Sequence, residues 1–261
     1  MGRFDWATLT TDYGLTDGFA AMLHGVLAVD APHARVIDVT HLVPPQDVTR
    51  GARLLAQAVP HLPPAVHVAV VDPGVGTQRR AVALSTPGGL LVGPDNGLLL
   101  PAATALGGVI ESVLLDNTAW HRHPTSATFH GRDIFAPVAA RLASGAPLAE
   151  AGTAVPPERL VRLPEPVVHT GPGFVEAEVC TVDQYGNVQL AAPGALVAGW
   201  PPRLHLGGVP ATLGRTFADG PPGEPVVFVD SAGLVAIAVN GASAARLLRL
   251  SAGDTVRLTS T

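Results

Sequence analysis

Hydrophobic positions follow two different periods along the first 145 residues of the chain. Stretches that are apolar at almost every position predict buried strands, and stretches with apolar residues three and four positions apart predict helices. The predicted strands are "FDWATLTTDYG", which ends at Asp12, "ARVIDVT" and "AVHVAVVD"; the predicted helices are "GFAAMLHGVLAVDAP", "DVTRGARLLAQAVPHL" with Asp47 as its N-cap, and "DIFAPVAARLASG". "AVALSTPGGLLVG" predicts a hairpin. This alternation predicts an α/β domain with a largely parallel or mixed sheet, in which "AVHVAVVD" is a central strand.

The pattern changes after Gly145, where a proline-rich stretch ends the helical periodicity. Short strand-like segments separated by turn residues follow: "GFVEAEVCTVD", "NVQLA", "RLHLGG", "EPVVFVD", "LVAIAVN" and "DTVRLTS". They predict an antiparallel, barrel-like β domain, with a short helix at "SAARLLRL". We therefore expect an N-terminal α/β domain over residues 1–150, a proline-rich linker over 151–166 and a C-terminal β domain over 167–261.

Composition and charge exclude several classes of protein. The chain has 261 residues, and 16 Lys and Arg against 21 Asp and Glu give a net charge of −5 without any basic block, which argues against nucleic acid as a partner. A single cysteine, Cys180, excludes an internal disulfide and a cysteine-based zinc site. No start typical of a signal peptide is visible, and no apolar run approaches ~18 residues. We therefore expect a soluble, cytoplasmic protein without a membrane partner.

Polar residues at the ends of the predicted strands are the first candidates for a functional site. Asp12 and Asp72 each follow an apolar strand, and ligands of parallel α/β sheets bind at the carboxyl ends of strands. His130 and Arg132 precede a predicted helix, whose N-terminus favours anions. Other readings remain open at this point, since each aspartate also fits as the cap of a turn and His130 fits as a structural histidine. Arg79 and Arg80 also fit as a pair of solvent-exposed arginines.

A metal site is a weaker alternative. "HRHP" places His121 and His123 on one face of an extended segment, close in sequence to His130. No HExxH motif or cysteine cluster accompanies them, and nothing in the sequence provides a third ligand. We therefore expect no metal and no cofactor.

Seven motifs, taken together, resemble a known family. They occur in the order "TTDYGLTDGFAAMLHGVL", "DVTHLVPPQDVTRGA", "VVDPGVGTQRR", "GPDNGLL", "TFHGRDIFAP", "DQYGNVQL" and "AVNGASAA", over about 230 residues. In this order they resemble the S-adenosyl-L-methionine (SAM) hydrolases that form adenosine, also called SAM hydroxide adenosyltransferases, which are relatives of fluorinase and chlorinase. The resemblance implies hydrolysis of SAM to adenosine and L-methionine, by attack of water or hydroxide on the 5′ carbon.

The resemblance implies the roles of individual residues. In this family an Asp–Arg–His set activates water, and the matching residues are Asp72, Arg79 and His130. Asp12 matches the aspartate that binds the ribose hydroxyls, a role that suits a carboxylate because it accepts from two donors. The other implied substrate contacts are Asn187 and Tyr185 at the adenosine, Asp183 at the methionine amine, and Ser231, Asn240 and Gly241 at the adenine edge. Without the resemblance, "DQYGN" is best read as a hairpin turn.

The resemblance also implies an assembly. The family forms homotrimers whose active sites lie between the N-terminal domain of one subunit and the C-terminal domain of the next. Halogenating relatives have tyrosine in place of Asp72, serine in place of Gly131 and an insertion after the "RR" pair, so this chain fits water better than halide as the nucleophile. Ala232 stands where halogenases place an arginine for the methionine carboxylate. A SAM- or adenosine-binding protein without turnover is the alternative function, followed by a SAM-dependent halogenase.

Overall fold

The computed structural model describes residues 2–260, which divide into two compact units between Leu163 and Pro164. The strands of the first unit are β1 (Trp6–Thr11), β2 (Arg35–Thr40), β3 (Ala65–Val70), β4 (Ala81–Thr86), β5 (Gly89–Pro94) and β6 (Glu111–Leu114). Its α-helices are α1 (Phe19–Asp30), α2 (Val48–Ala58), α3 (Leu100–Ala105) and α4 (Ala136–Ala143). Asp47 caps α2 as predicted, since its side chain accepts a hydrogen bond from the Arg50 N–H.

The first unit is built on a mixed sheet of order β2-β1-β3-β5-β4-β6. β1 pairs in parallel with β2 and β3, and β3 pairs in parallel with β5. β4 is antiparallel to both β5 and β6, and the β4–β5 pair is the predicted hairpin. The predicted α/β class with a mixed sheet is therefore confirmed.

β3 explains why the sheet is covered on both faces. Every residue of this strand is buried. Val66, Val68 and Val70 lie in the same hydrophobic cluster as residues of α1 and α4, whereas Ala69 and the following Val71 lie in a cluster with residues of α2 and α3. A strand that is buried on both faces has a nearly continuous apolar sequence, and this is the pattern that predicted a central position.

The second unit is a closed β-sheet. Its strands are β7 (Val168–Gly171), β8 (Phe174–Val182), β9 (Val188–Pro193), β10 (Arg203–Leu206), β11 (Val209–Leu213), β12 (Pro225–Val229), β13 (Leu234–Val239) and β14 (Thr255–Ser260), with the short helix α5 (Ala244–Leu248) before β14. The order β14-β10-β11-β12-β13-β9-β8 closes through the β14–β8 pairing, and β7 adds to β8. The barrel-like prediction is confirmed, with one correction: β11 and β12 pair in parallel.

The proline-rich segment contributes to the core of the first unit. Ala151, Val155 and Leu160 are buried there, and the Ser112 hydroxyl donates to the Val155 carbonyl. The boundary between the two units follows Leu163. Within residues 2–260, no helix is long and apolar enough to cross a membrane.

Candidate active site

Asp72 lies in the turn that follows β3. The chain turns through "DPGVG", where the Val75 N–H donates to the Asp72 carbonyl. Gly76 has φ +76°, and a Cβ at this position would lie 2.5 Å from the Ala127 carbonyl oxygen. Glycine therefore permits both the left-handed conformation and the close approach of the segment that precedes His130. The turn brings Arg79 back beside Asp72.

Asp72, Arg79 and His130 form a connected cluster. The Arg79 Nε donates to Asp72 Oδ1 at 3.0 Å, and Arg79 Nη2 donates to Asp72 Oδ2. Arg79 Nη2 also lies 2.9 Å from His130 Nδ1. The side chains of Asp72 and Arg79 are only 4% and 8% exposed, so this bidentate ion pair is shielded from bulk water.

The contact with Arg79 determines which nitrogen of His130 carries the proton. A guanidinium only donates hydrogen bonds, so His130 Nδ1 accepts from Arg79 and the proton of the neutral ring is on Nε2. Burial lowers the pKa of His130 from its ordinary value, and the charge of Arg79 lowers it further against the opposing effects of Asp72 and Asp133. His130 is therefore neutral at pH 7, with an N–H donor on Nε2.

Arg80 has different partners from Arg79. Its Nη2 forms an ion pair with Asp95 and also donates to the Arg159 carbonyl. The reading of the two arginines as a solvated pair is therefore wrong, because each one has its own carboxylate partner. Of these two arginines, Arg79 is the one that contacts Asp72 and His130.

Asp12 follows β1, and its carboxylate accepts a hydrogen bond from Gln46, a residue that the sequence analysis did not single out. The Gln46 N–H donates to Asp12 Oδ2 at 2.9 Å. Gln46 has φ +66°, which is rare for a residue other than glycine and tends to occur at functional sites. No residue pattern in "VPPQD" indicates this conformation, so sequence reasoning missed Gln46.

Tyr13 is a second residue that the sequence analysis missed. Its ring packs edge-to-face on Phe19 and Phe129, with ring centroids 6.0 and 5.7 Å apart. Burial raises the pKa of Tyr13 above its ordinary value, and the nearby charges of Asp12 and Asp72 raise it further. A Cβ at Gly131 would collide with the Tyr13 hydroxyl. Tyr13 therefore lies close to both acids and fills the space beside Gly131.

The three histidines considered for a metal do not converge. His123 Nε2 lies 2.9 Å from the Thr118 carbonyl oxygen, and His130 Nδ1 is occupied by Arg79. Among residues 2–260, the one group of three His, Cys, Asp or Glu side chains with adjacent ligand atoms lies elsewhere in the first unit. Arg132 forms its ion pair with the adjacent Asp133, through Nε and Nη2.

The candidate residues of the second unit begin with the turn Asp183–Asn187. Asp183 Oδ1 accepts from the Tyr185 and Asn187 N–H groups, and Asp183 Oδ2 accepts from Asn187 Nδ2 at 2.8 Å. Gly186 has φ +82°, and a side chain there would collide with Ser243. The hairpin-turn reading is therefore confirmed for the backbone. The Asn187 side chain keeps its carbonyl oxygen and one amide hydrogen for a ligand.

A pocket of about 800 Å³ opens beside this turn. Its lining includes Asp183, Tyr185, Asn187 and Gly241. The residue Tyr185 is 72% exposed, and Phe217, another lining residue, is also exposed. The structure therefore brings four of the predicted contacts together around one concave surface.

The two remaining predicted contacts lie outside that lining. Asn240 is half-buried at the end of β13, between the lining residues Val239 and Gly241. Ser231 is exposed in the turn that joins β12 to β13.

These features define a protein of two units. The first is a mixed α/β unit with a shielded carboxylate–guanidinium–imidazole cluster at a strand end, and the second is a closed β unit with a pocket lined by both apolar and polar residues. Residues 7–152 match the SAM hydroxide adenosyltransferase N-terminal domain, and residues 177–257 match the SAM hydroxide adenosyltransferase C-terminal domain. The chain belongs to the SAM hydroxide adenosyltransferase family.

Named relatives agree with this assignment, and a solved structure shares the fold. A protein of Salinispora arenicola named (R)-S-adenosyl-L-methionine hydrolase is 64% identical, over 99% of both chains. A fluorinase of Actinoplanes sp. is more distant, at 32% identity over 95% of both chains. The crystal structure of an uncharacterized conserved protein from Thermotoga maritima superposes with a TM-score of 0.89 at 34% identity, covering 97% of this chain and 99% of that one.

Proposed function

We propose that this protein hydrolyses SAM to adenosine and L-methionine. Water attacks the 5′ carbon, the C5′–S bond breaks, the sulfonium sulfur leaves as the neutral thioether of L-methionine, and one proton is released to solvent. The observation that carries the proposal is the shielded Asp72–Arg79–His130 cluster in a chain of this family. The sulfonium is already a good leaving group, so the reaction needs no general acid at sulfur. The difficulty lies in the nucleophile, because water is weakly nucleophilic and holds its proton tightly.

Each member of the cluster has a distinct role in activating water. The Nε2–H of neutral His130 donates to the water oxygen and orients its lone pair. Arg79 Nη1 is buried and has no hydrogen-bond partner among the described residues, so it can stabilise the developing hydroxide. Asp72 is the one member with acceptor capacity left, since a carboxylate has about four lone-pair sites and Arg79 occupies two. Asp72 therefore receives a hydrogen bond from the water and holds it in line with the C5′–S bond.

The substrate contacts follow from the donors and acceptors that remain open. Asp12 Oδ1 accepts from the ribose hydroxyls while Gln46 holds Oδ2. Asn187 reads the adenine edge with its free carbonyl oxygen and amide hydrogen, and Tyr185 offers an exposed ring to the adenosine. Asp183 binds the methionine amine. The remaining contacts are at the adenine edge and come from Ser231, Asn240 and Gly241.

The surroundings of Asp72 favour water over halide. A halide ion needs neutral or positive donors, and a carboxylate beside it repels it. The serine of halogenating relatives would need the space beside Gly131, which the Tyr13 hydroxyl occupies here. These two features together support hydrolysis.

We also propose the cofactor requirement, the compartment and the oligomeric state of the enzyme. The hydrolysis itself uses no metal and no cofactor. The enzyme acts in the cytoplasm, where SAM is present. It works as a homotrimer, in which the pocket beside Asp183 and Tyr185 belongs to the active site of a neighbouring subunit; the exposure of the Tyr185 ring supports this arrangement.

Product analysis tests the proposed function. Incubation of the purified chain with SAM should give adenosine and L-methionine in equal amounts, and Asp72→Ala should abolish both. S-adenosylhomocysteine would indicate attack at the methyl group, and methylthioadenosine would indicate loss of the amino acid chain. Either product in place of adenosine, or adenosine binding without any turnover, would overturn the proposal.

A further inference from the structure

A cluster outside the Asp72 site brings together two imidazoles and one carboxylate. His24 on α1, Asp38 on β2 and His41 just after β2 place their ligand atoms within 4.8 Å of one another. His24 Nε2 lies 2.8 Å from Asp38 Oδ1, and His41 Nε2 lies 3.0 Å from the same oxygen. Asp38 and His41 are three residues apart at the end of β2, and the packing of α1 beside this strand brings His24 to them.

His41 supplies a second, independent observation. It is 4% exposed, and its Nε2 is buried without a hydrogen-bond partner among the described residues. Asp38 Oδ1 is near enough but is not aligned as a hydrogen-bond partner. A buried polar nitrogen without a partner is costly, so an unpaired Nε2 that faces a carboxylate points to a cation between them.

The other nitrogen of His41 has a partner of the kind that metal-binding histidines use. Nδ1 lies 2.8 Å from the Thr11 hydroxyl oxygen, which also accepts from the Tyr13 N–H. Binding of an ion at Nε2 requires the tautomer in which the Nδ1 proton is donated to the Thr11 hydroxyl oxygen. Outer-shell contacts of this type fix the tautomer and the ring orientation of a metal ligand.

The observed separations fit a shared ion. Two ligands bound at right angles with bonds of about 2.1 Å lie about 3.0 Å apart. The 2.8 and 3.0 Å separations from Asp38 Oδ1 to the two nitrogens match that spacing. The side chains of His24 and Asp38 are 38% and 44% exposed, so an ion can enter from solvent and keep water ligands.

We propose that His24, Asp38 and His41 bind a divalent first-row transition metal ion. Two imidazoles and one carboxylate with open positions suit Fe²⁺, Co²⁺, Ni²⁺ or Zn²⁺. The His41 carbonyl accepts from the Gly14 N–H at 2.8 Å, and its ring contacts Thr11, so the ion braces the loop that carries Asp12 and Tyr13. Its role is structural and lies outside the hydrolytic step.

Equilibrium binding of Co²⁺ to the untagged full-length chain tests the site. We expect one Co²⁺ per chain, with the weak visible absorption of a five- or six-coordinate ion and a rise in Tm. His24→Gln and Asp38→Asn should each weaken binding at least tenfold. His61→Gln, at an exposed histidine remote from the cluster in sequence, should leave binding unchanged.

Both ligand variants alter exposed side chains, and circular dichroism of each variant checks that it is folded. Absence of stoichiometric Co²⁺ binding by the wild type would overturn the proposal. Equal binding by folded His24→Gln and the wild type would also overturn it. SAM hydrolysis is measured separately, so its failure leaves the binding result interpretable.

Discussion

Arg79 and Arg80 show how strongly the role of one residue depends on where its side chain ends. The two are adjacent and carry the same charge, yet Arg79 holds Asp72 and contacts His130, whereas Arg80 holds Asp95. The first contact forms a cluster at the strand end, and the second joins two segments of the first unit. The pair therefore offers a matched comparison within one protein.

Replacing each arginine by lysine should separate the two roles. Arg79→Lys loses the bidentate fork and the donor to His130, so kcat should fall roughly 100-fold or more, the size of effect that follows loss of one preorganised donor. Arg80→Lys should keep kcat within a few-fold and lower Tm instead. Steady-state kinetics and thermal unfolding of both variants measure this. A similar loss of kcat in both variants would remove the special role of Arg79.

Some candidate residues could be read from the sequence because their position follows from strand ends. Asp12 and Asp72 were predicted in this way, and His130 was placed before a helix. The grouping of Asp72 with Arg79 and His130 came only from the resemblance to the family, since the positions of strand ends do not show how the turn after Asp72 folds back. Gln46 and Tyr13 were missed because a left-handed backbone and a shared packing position leave no signal in the residue pattern.

At the scale of elements, β3 places the imidazole of His67 in the interior of the first unit. This side chain is fully buried in a central strand, and its Nδ1 lies 2.9 Å from the Thr8 hydroxyl on β1. Its Nε2 has no partner among the described residues. Burial lowers the pKa of His67 to about 4.

His67 should make the stability of the first unit pH-dependent. Because the folded pKa lies below the ordinary 6.5, the unfolded chain binds more protons between pH 6.5 and 4, and stability is lost as the pH falls through that window. The full shift corresponds to roughly 3 kcal/mol. Denaturant unfolding at several pH values should show a shallower pH dependence for His67→Gln than for the wild type. His61→Gln is the control; a slope of His67→Gln equal to that of the wild type would contradict the account.

The elements that the sequence predicted are those with strong periodicity. β1, β2, β3, α1, α2 and the β4–β5 hairpin all have apolar positions that follow their contacts with the two core clusters. β7 and β11 were missed because they are short and contain only one buried residue, Ala211, and because Pro210 lies inside β11. The parallel β11–β12 pairing was missed because strand direction depends on which strand becomes a neighbour.

At the scale of the whole molecule, the proposed active site draws residues from both units. Asp72, Arg79 and His130 belong to the first, and Asp183, Tyr185 and Asn187 belong to the second. If the site lies between subunits of a ring, as proposed, one chain need not supply both halves. Neither composition nor periodicity carries information on that assembly.

Mixed oligomers test this arrangement. Asp72→Ala and Asn187→Ala should each be nearly inactive alone. In oligomers formed by co-expression of both chains in equal amounts, about a quarter of the sites in a head-to-tail ring combine two intact halves. Activity should therefore recover to about a quarter of the wild-type value. Activity no higher than the average of the two single variants would place both halves of a site within one chain.

The central claim is that water, activated by the Asp72 cluster, attacks the 5′ carbon of SAM. Hydrolysis in ¹⁸O-labelled water, followed by mass spectrometry, tests it most directly. The account predicts one heavy oxygen in the 5′ hydroxyl of adenosine, none in methionine, and no 5′-halonucleoside when fluoride or chloride is added. Heavy oxygen in methionine, unlabelled adenosine, or a halonucleoside product would contradict it.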